Sequence, residues 1–319
     1  MKGACQTMKK FMILFCFIGV ISVITFFYIF YEPAINFTPE GKRFVCIINS
    51  DSETEGYWGG LRKGILDADE KFNSYTKILT FQRSNIDEQI QLLQDSVYAH
   101  VDGLITLGEP FEKDLNKAIH QIVDSGIPVV LLDTDAIDSG RSCYIGTDNY
   151  QAGQLAAQSI ADFTGNNAKI VIFTTSLEYA NQSERINGFL DIVNNNAQME
   201  VLEIKETLFD RTVLQEELDR VLSAYDDLNA IFCAEASTSH LNNVTLNAAK
   251  KDICIISFDD VEPVPQLIMD GTYTATLLQD GYSMGYKAIT YLNEPDPETS
   301  AIYTDVALVT RDNIDDFYK

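Results

Sequence analysis

Polar side chains able to grip a small molecule gather just past the ends of the apolar runs in this sequence. They are Asn49-Ser50-Asp51, Glu55-Gly56-Tyr57-Trp58, Asp133-Thr134, Thr147-Asp148-Asn149, Thr174-Thr175, Glu235, Asp259-Asp260 and Gln279-Asp280. Carboxylates, amides and hydroxyls of this kind exchange hydrogen bonds with the hydroxyls of a polyol. The flat rings of Tyr57 and Trp58, the latter the only Trp, can pack on the C–H faces of a sugar ring. This is the chemistry of recognition rather than of bond making. Asp and Asn also favour turns and helix caps, so Asp51, Asp148 and Asp260 have a structural reading of equal standing.

Motifs for bond making are missing. The chain has no G-x-S-x-G, no H-E-x-x-H, no Walker loop and no G-x-G-x-x-G after an apolar run. His100, His120 and His240 stand alone, without metal-ligand spacing. Cys46, Cys143, Cys233 and Cys254 are scattered with no C-x-x-C, and three of them (Cys46, Cys233, Cys254) sit in apolar runs as small hydrophobes would. We expect no enzyme, no cofactor and no metal. The 23 Lys+Arg against 47 Asp+Glu leave a net charge of −24, which repels a phosphate backbone and argues against a nucleic-acid partner. With 46% hydrophobic and 11% aromatic residues the chain is not disordered.

The elements that must position these groups follow two alternating periods. Strand-like runs are Phe44–Ile48, Ile78–Phe81, Gly103–Leu107, Val129–Leu132, Ile170–Phe173, Val201–Ile204, Ala230–Cys233, Ile253–Phe258 and Thr274–Leu278. Between most of them lie helical patterns: Leu61, Ile65, Ala68 and Phe72 share a face, as do Leu115, Ile119, Ile122 and Val123, and Leu155, Ala156, Ile160 and Phe163. Strand, helix, strand in succession predicts β-α-β units and parallel sheets. Runs such as PVVLL suit strands covered on both faces. One series runs from Arg43 to about Ile145 and a second starts with the helix after Asn149, so we predict an α/β fold of two Rossmann-like lobes. In open sheets of this type ligands bind beyond the carboxyl ends of the strands, where the polar groups fall.

Ahead of the lobes, Phe11 to Tyr31 carries no charge. A helix of that length, at about 1.5 Å per residue, spans a ~30 Å hydrocarbon core. Lys2, Lys9 and Lys10 precede it, which should keep residues 1–10 cytoplasmic and send the rest across. The expectation is a signal-anchor over 11–31, a linker over 32–41 and an extracytoplasmic remainder held to the cell membrane by a single pass.

The order of motifs from Lys42 to about Thr310 resembles the type 1 periplasmic solute-binding proteins, in particular the ribose/galactose-type sugar binders. EGYWGGLRKGILDA is similar to that family's aromatic pair and first helix. VDGLITLG followed by SGIPVVLLDTD, then YIGTDNYQAGQLAAQ, SERINGF, FDR, ISFDD and ATLLQD with GYSMGYKAI follow in the family's order. The resemblance implies two lobes joined by a three-segment hinge, residues 42–147 with 280–308 forming one and 148–279 with 309–319 the other. It places sugar contacts at Asp51, Glu55, Tyr57, Trp58, Asp133, Thr134, Thr147, Ser183, Phe209, Glu235, Asp259 and Gln279. It implies closure around a monosaccharide and delivery to an ABC permease or report to a membrane sensor such as a histidine kinase or chemoreceptor. Thr134 and Ser183 stand where ribose binders have Arg, and Glu55 and Glu235 where they have Asn; Arg185 is the Arg that usually supports the lobe. Unpaired buried carboxylates are costly, so the exchange points to a ligand that carries a cation, such as an amino sugar or another cationic solute, or to a bound metal or protonation that compensates. The same fold serves LacI-type repressors, but the apolar segment occupies the place of their DNA-binding helices.

Overall fold

The computed structural model describes residues 41–49, 56–82, 85–242, 245–246 and 252–317. The chain divides into Met1–Gly41 and Lys42–Lys319, and the fold is that of the second unit. The expected signal-anchor and linker lie outside the described residues. Among the described residues no helix is long and apolar enough to cross a membrane.

The first half runs β1 (Arg43–Asn49), α1 (Tyr57–Phe72), β2 (Tyr75–Phe81), α2 (Ile86–Tyr98), β3 (Gly103–Leu107), α3 (Lys113–Asp124), β4 (Val129–Leu132) and β5 (Cys143–Thr147). The second continues with α4 (Asn149–Thr164), β6 (Ala168–Thr174), α5 (Ala180–Asn194), β7 (Met199–Glu206), α6 (Arg211–Ala224), β8 (Ala230–Cys233) and β9 (Cys254–Phe258). Then come α7 (Val264–Asp270), β10 (Ala275–Gln279), α8 (Gly281–Asn293), β11 (Ala301–Thr304) and β12 (Val306–Thr310).

The strands form two 6-stranded sheets, in the orders β11-β5-β4-β3-β1-β2 and β12-β10-β9-β8-β6-β7. Pairing is parallel throughout, except that β12 runs antiparallel to β10. The α/β architecture with parallel sheets is as expected. The chain passes between the sheets after β5, after β10 and at Asp305 between β11 and β12. Val306 to Leu308, grouped with the first lobe on sequence, therefore pair in the second sheet.

Both sheets are buried on two faces, which is why their central strands read as unbroken apolar runs. Phe44, Cys46 and Ile48 of β1 pack with Leu61, Ile65 and Met284 of α1 and α8. Val45 and Ile47 turn to the other face, toward Leu93, Leu115 and Ile119 of α2 and α3. In the second sheet Ile170 and Ile172 meet Ile160 and Phe189, while Val171 and Phe173 meet Leu214, Leu218 and Leu267. Phe163, placed on the buried face of its helix by spacing, is 48% exposed.

In each lobe two helices pack backbone to backbone through glycine. A Cβ on Gly64 of α1 would lie 2.0 Å from the Tyr282 carbonyl oxygen of α8, and one on Gly285 would lie 2.1 Å from that of Leu61. In the second lobe a Cβ on Gly153 of α4 would lie 1.8 Å from the Arg185 oxygen of α5, and one on Gly188 would lie 2.0 Å from that of Tyr150. The N-terminal ends of these four helices are thereby brought to the ends of the strands.

Candidate ligand-binding cleft

β4 and β9 hold the same place in the two sheet orders, and each is followed by an aspartate with left-handed backbone: Asp133 at φ 61 and Asp259 at φ 63. Asp tolerates this region better than most residues. Each is tied down by the strand beside it. Tyr144 Oη donates to the Asp133 carbonyl at 2.9 Å, and Thr276 Oγ1 donates to the Asp259 carbonyl at 2.7 Å. The carboxylates are thus presented at the carboxyl ends of both sheets.

Around Asp133 the partners are aromatic and hydroxylic. Tyr57 Oη donates to Asp133 Oδ1 at 3.3 Å and lies 3.0 Å from Met284 Sδ. Burial, with Asp133 and Asp259 nearby, pushes the Tyr57 phenol well above its ordinary value, so it stays a donor. Trp58 meets Tyr57 edge to face at 4.9 Å and packs against the first-lobe core. Thr134 Oγ1 lies 3.4 Å from Asp133 Oδ2 and accepts from Asn181 Nδ2 of α5 at 3.4 Å. Asn181 thus reaches across from the second lobe.

Around Asp259 the partners are amide and ionic. Gln279 Nε2 donates to both carboxylate oxygens, at 3.0 and 3.2 Å. The Gln279 Oε1 accepts from Thr147 Oγ1 at 2.6 Å, so two hinge residues are fastened to each other and to Asp259. Arg185 is 3% exposed; its guanidinium donates to the Ala234 carbonyl, and to Asn149 Oδ1 at 2.6 Å. It stacks 3.3 Å from the centre of the Phe258 ring. Its Nε has no hydrogen-bond partner among the described residues. Burial lowers the Arg185 pKa to about 10, against the pull of Asp259, Asp133 and Glu235. Burial raises Asp259 to about 8, with Gln279 and Arg185 opposing and Asp133 and Asp260 reinforcing. Near neutral pH the second carboxyl is therefore largely protonated while Arg185 stays charged.

The remaining expected residues divide. Glu235 carries a carboxylate that bends back onto its own chain: Oε2 accepts from Ser237 N at 2.8 Å and from Ser237 Oγ, which caps the short helix Ala236–Ser239. Ser183 lies on the first turn of α5 and donates to the Ala180 carbonyl at 3.2 Å. Phe209, 41% exposed at φ 61, meets Tyr179 edge to face at 6.0 Å. Asp51 and Glu55 lie outside the described residues. Asp148 and Asp280 serve as helix caps, accepting from Gln151 N at 2.9 Å and from Ser283 N at 2.8 Å. A cavity of about 590 Å³ runs along the hinge, and Tyr57 and Gln279 line it together with Asp260, Asp305 and Phe317.

Sequence reasoning overlooked Asn181 and Tyr144, and named Asn149 without giving it a role. Asn149 carried a signal, since it follows an apolar stretch in a polar trio. Tyr144 carried none, because its role is made by a hydroxyl reaching back to the carbonyl of Asp133.

Residues 45–294 match the family described as periplasmic binding protein domain. The chain is 24% identical over 244 residues to the ribose import binding protein RbsB of Bacillus subtilis, spanning 76% of this chain and 79% of that protein. Its fold superposes on GanP, a glucose-galactose binding protein from Geobacillus stearothermophilus, with TM-score 0.76 and 30% identity over 86% of this chain and 99% of that one. It also superposes on the XylFII–LytSN complex, with TM-score 0.70 and 26% identity over 86% of this chain and 99% of that one. Such proteins bind a solute and do not turn it over. The chain belongs to the periplasmic binding protein family.

Proposed function

We propose that this chain captures a sugar outside the cytoplasm and presents it to an ABC-type importer. The observation that carries the reading is the convergence of Tyr57, Asp133, Asp259 and Gln279 at the paired sheet ends, in a chain similar to import binding proteins for ribose. Tyr57, Trp58 and Phe209 hold the ring. Asp133, Thr134, Thr147, Ser183, Asp259 and Gln279 take its hydroxyls, with Asp51, Glu55 and Glu235 adding acidic character. The lobes close about the hinge when the sugar bridges them, and the ligand shifts that equilibrium only by its preference for the closed form. An anchor over 11–31 holds the protein at the membrane.

The charge balance narrows the ligand. Asp133 and Glu235 lie in the field of one buried cation, Arg185, while Asp259 holds a proton near neutral pH, and no Arg stands at 134 or 183. A sugar carrying an amino group satisfies such a cleft better than a neutral one. A second partner, a membrane sensor, is favoured by the likeness to XylFII in its complex with LytSN.

A thermal-shift panel of monosaccharides and amino sugars, followed by calorimetry at two salt concentrations, tests the reading, since binding to the native state alone raises the unfolding midpoint. Amino sugars should bind more tightly than their neutral parents, by a margin that shrinks as salt rises. Tighter binding of the neutral sugars would remove the cationic ligand, and silence across the panel at millimolar concentration would remove the sugar.

A further inference from the structure

Helix α1 is preceded by Gly56, φ 81 and ψ −134, which has no side chain to offer its first amides. The other helices entering at the hinge are capped from within: Asp148 caps α4 and Asp280 caps α8. At α1 the cap comes from the opposite lobe. Asp260 follows β9 of the second sheet, and its carboxylate lies against Gly56 at the start of α1, where the backbone N–H of Tyr57, first residue of α1, favours its charged form. The fit is close: a Cβ on Gly56 would stand 2.6 Å from Asp260 Oδ2 and 2.7 Å from Oδ1. An anion at a helix N-terminus is favoured by both the free N–H groups and the helix dipole.

We infer that Asp260 is a closing latch, a second-lobe carboxylate that completes first-lobe helix α1 only while the lobes are together and so positions Tyr57 and Trp58 over the cleft. The inference rests on the reading above that the lobes open and close. When they part, the Tyr57 N–H and the carboxylate each return to water, so the contact weighs on the equilibrium by what a helix cap is worth, a shift of about fivefold in the closed-to-open ratio. Glycine at 56 belongs to the same device, because only a residue without Cβ lets the carboxylate lie against the chain there.

The test is a distance between spin labels at exposed Lys113 in α3 and Glu216 in α6, measured by pulsed electron resonance on the full chain in detergent without added sugar. Asp260→Ala should move the population toward longer distances by about fivefold in ratio. Gly56→Ala should do the same by pushing the carboxylate away, and Asp260→Asn, which keeps shape but loses charge, should fall between. Asp210→Asn, which weakens the cap of α6 inside one lobe, should leave the distances alone. Circular dichroism melts confirm that each variant is folded; should Asp260→Ala fail to fold, the isosteric Asp260→Asn decides. Distances in the folded variants identical to wild type would overturn the latch while leaving closure intact. A wild-type distance that ignores D-ribose and glucosamine, with the Asp260 variants still opening, would instead sink ligand-driven closure and keep the latch.

Discussion

Asp133 and Asp259 sit at the ends of corresponding strands, share a left-handed backbone, and are each tied by a hydroxyl on the neighbouring strand. Their side chains nevertheless live in different chemistry. Asp133 looks onto a phenol, a threonine and, through Tyr57, an indole edge. Asp259 looks onto a hinge amide and a guanidinium stacked on a buried ring. One scaffold used twice thus yields one wall shaped by rings and hydroxyls and another set by charge. The difference teaches that backbone geometry places a carboxylate, while side chains reaching it from a helix of the same lobe set its surroundings. The helices are α1 in the first lobe and α5 in the second, held in place by equivalent glycine contacts.

The largest effect should come from removing the charge from the second wall. Arg185→Ala removes the buried cation whose field reaches Asp259, Asp133 and Glu235, orphans the Ala234 carbonyl and Asn149, and strips the Phe258 ring. Leaving two buried acceptors unmet and a void beside a buried ring costs about 3–5 kcal/mol. Denaturant unfolding should show a loss of that order, with Arg185→Lys intermediate because a lysine cannot reproduce the planar fork. A loss below about 1 kcal/mol would mean that the second wall is not organised by charge at all.

A smaller, pH-dependent effect should mark Asp259. Its folded value near 8 lies above the ordinary 3.8, so between these limits the native state holds a proton that the unfolded chain has lost. Stability contributed by this group is full below about pH 4 and declines as pH rises through about 8. Asparagine cannot ionise. Asp259→Asn should therefore melt higher than wild type at pH 8.5, by roughly 5 °C, and the two should converge near pH 4.5. Melts at a series of pH values check this. A difference that stays constant with pH would show that Asp259 is not held protonated, and the contrast with Asp133 would lose its electrostatic half.

Legibility in the sequence followed burial. β3, β4 and β8 are buried along their whole length, so each reads as an unbroken apolar run with the right ends. β5 was overlooked because Tyr144 and Gly146 interrupt it; the tyrosine oxygen lies 2.1 Å from where a Gly146 Cβ would be, so the glycine makes room for the ring. β11 and β12 lie at sheet edges, half-exposed, and carry too few consecutive apolar residues to stand out. At the sheet ends, the places of Asp133, Asp259 and Gln279 were legible because each directly follows an apolar run. Glu235 satisfied the same rule, yet Ser237 two residues on draws its carboxylate into a cap. That outcome depends on a local turn no pattern displays. Asn181 was invisible for the opposite reason: its contact with Thr134 spans two lobes.

The smallest effect should follow removal of the Tyr57 hydroxyl. At 3.3 Å from Asp133 and 3.0 Å from a sulfur it makes a long hydrogen bond and a weak one. Tyr57→Phe keeps the ring that meets Trp58 and leaves Thr134 Oγ1 beside the carboxylate. The expected cost is about 1 kcal/mol in unfolding, with a fewfold weakening of sugar binding by calorimetry, and no change in the pH at which Asp259 titrates. Each part bears on the contrast between the walls. If loss of one hydroxyl cost as much as loss of Arg185, the first wall would depend on its polar contact as heavily as the second does on its charge. If instead the cost is small while Trp58→Ala abolishes binding, then ring surface is what the first lobe supplies, and Asp133 is held mainly by the Tyr144 contact to its backbone.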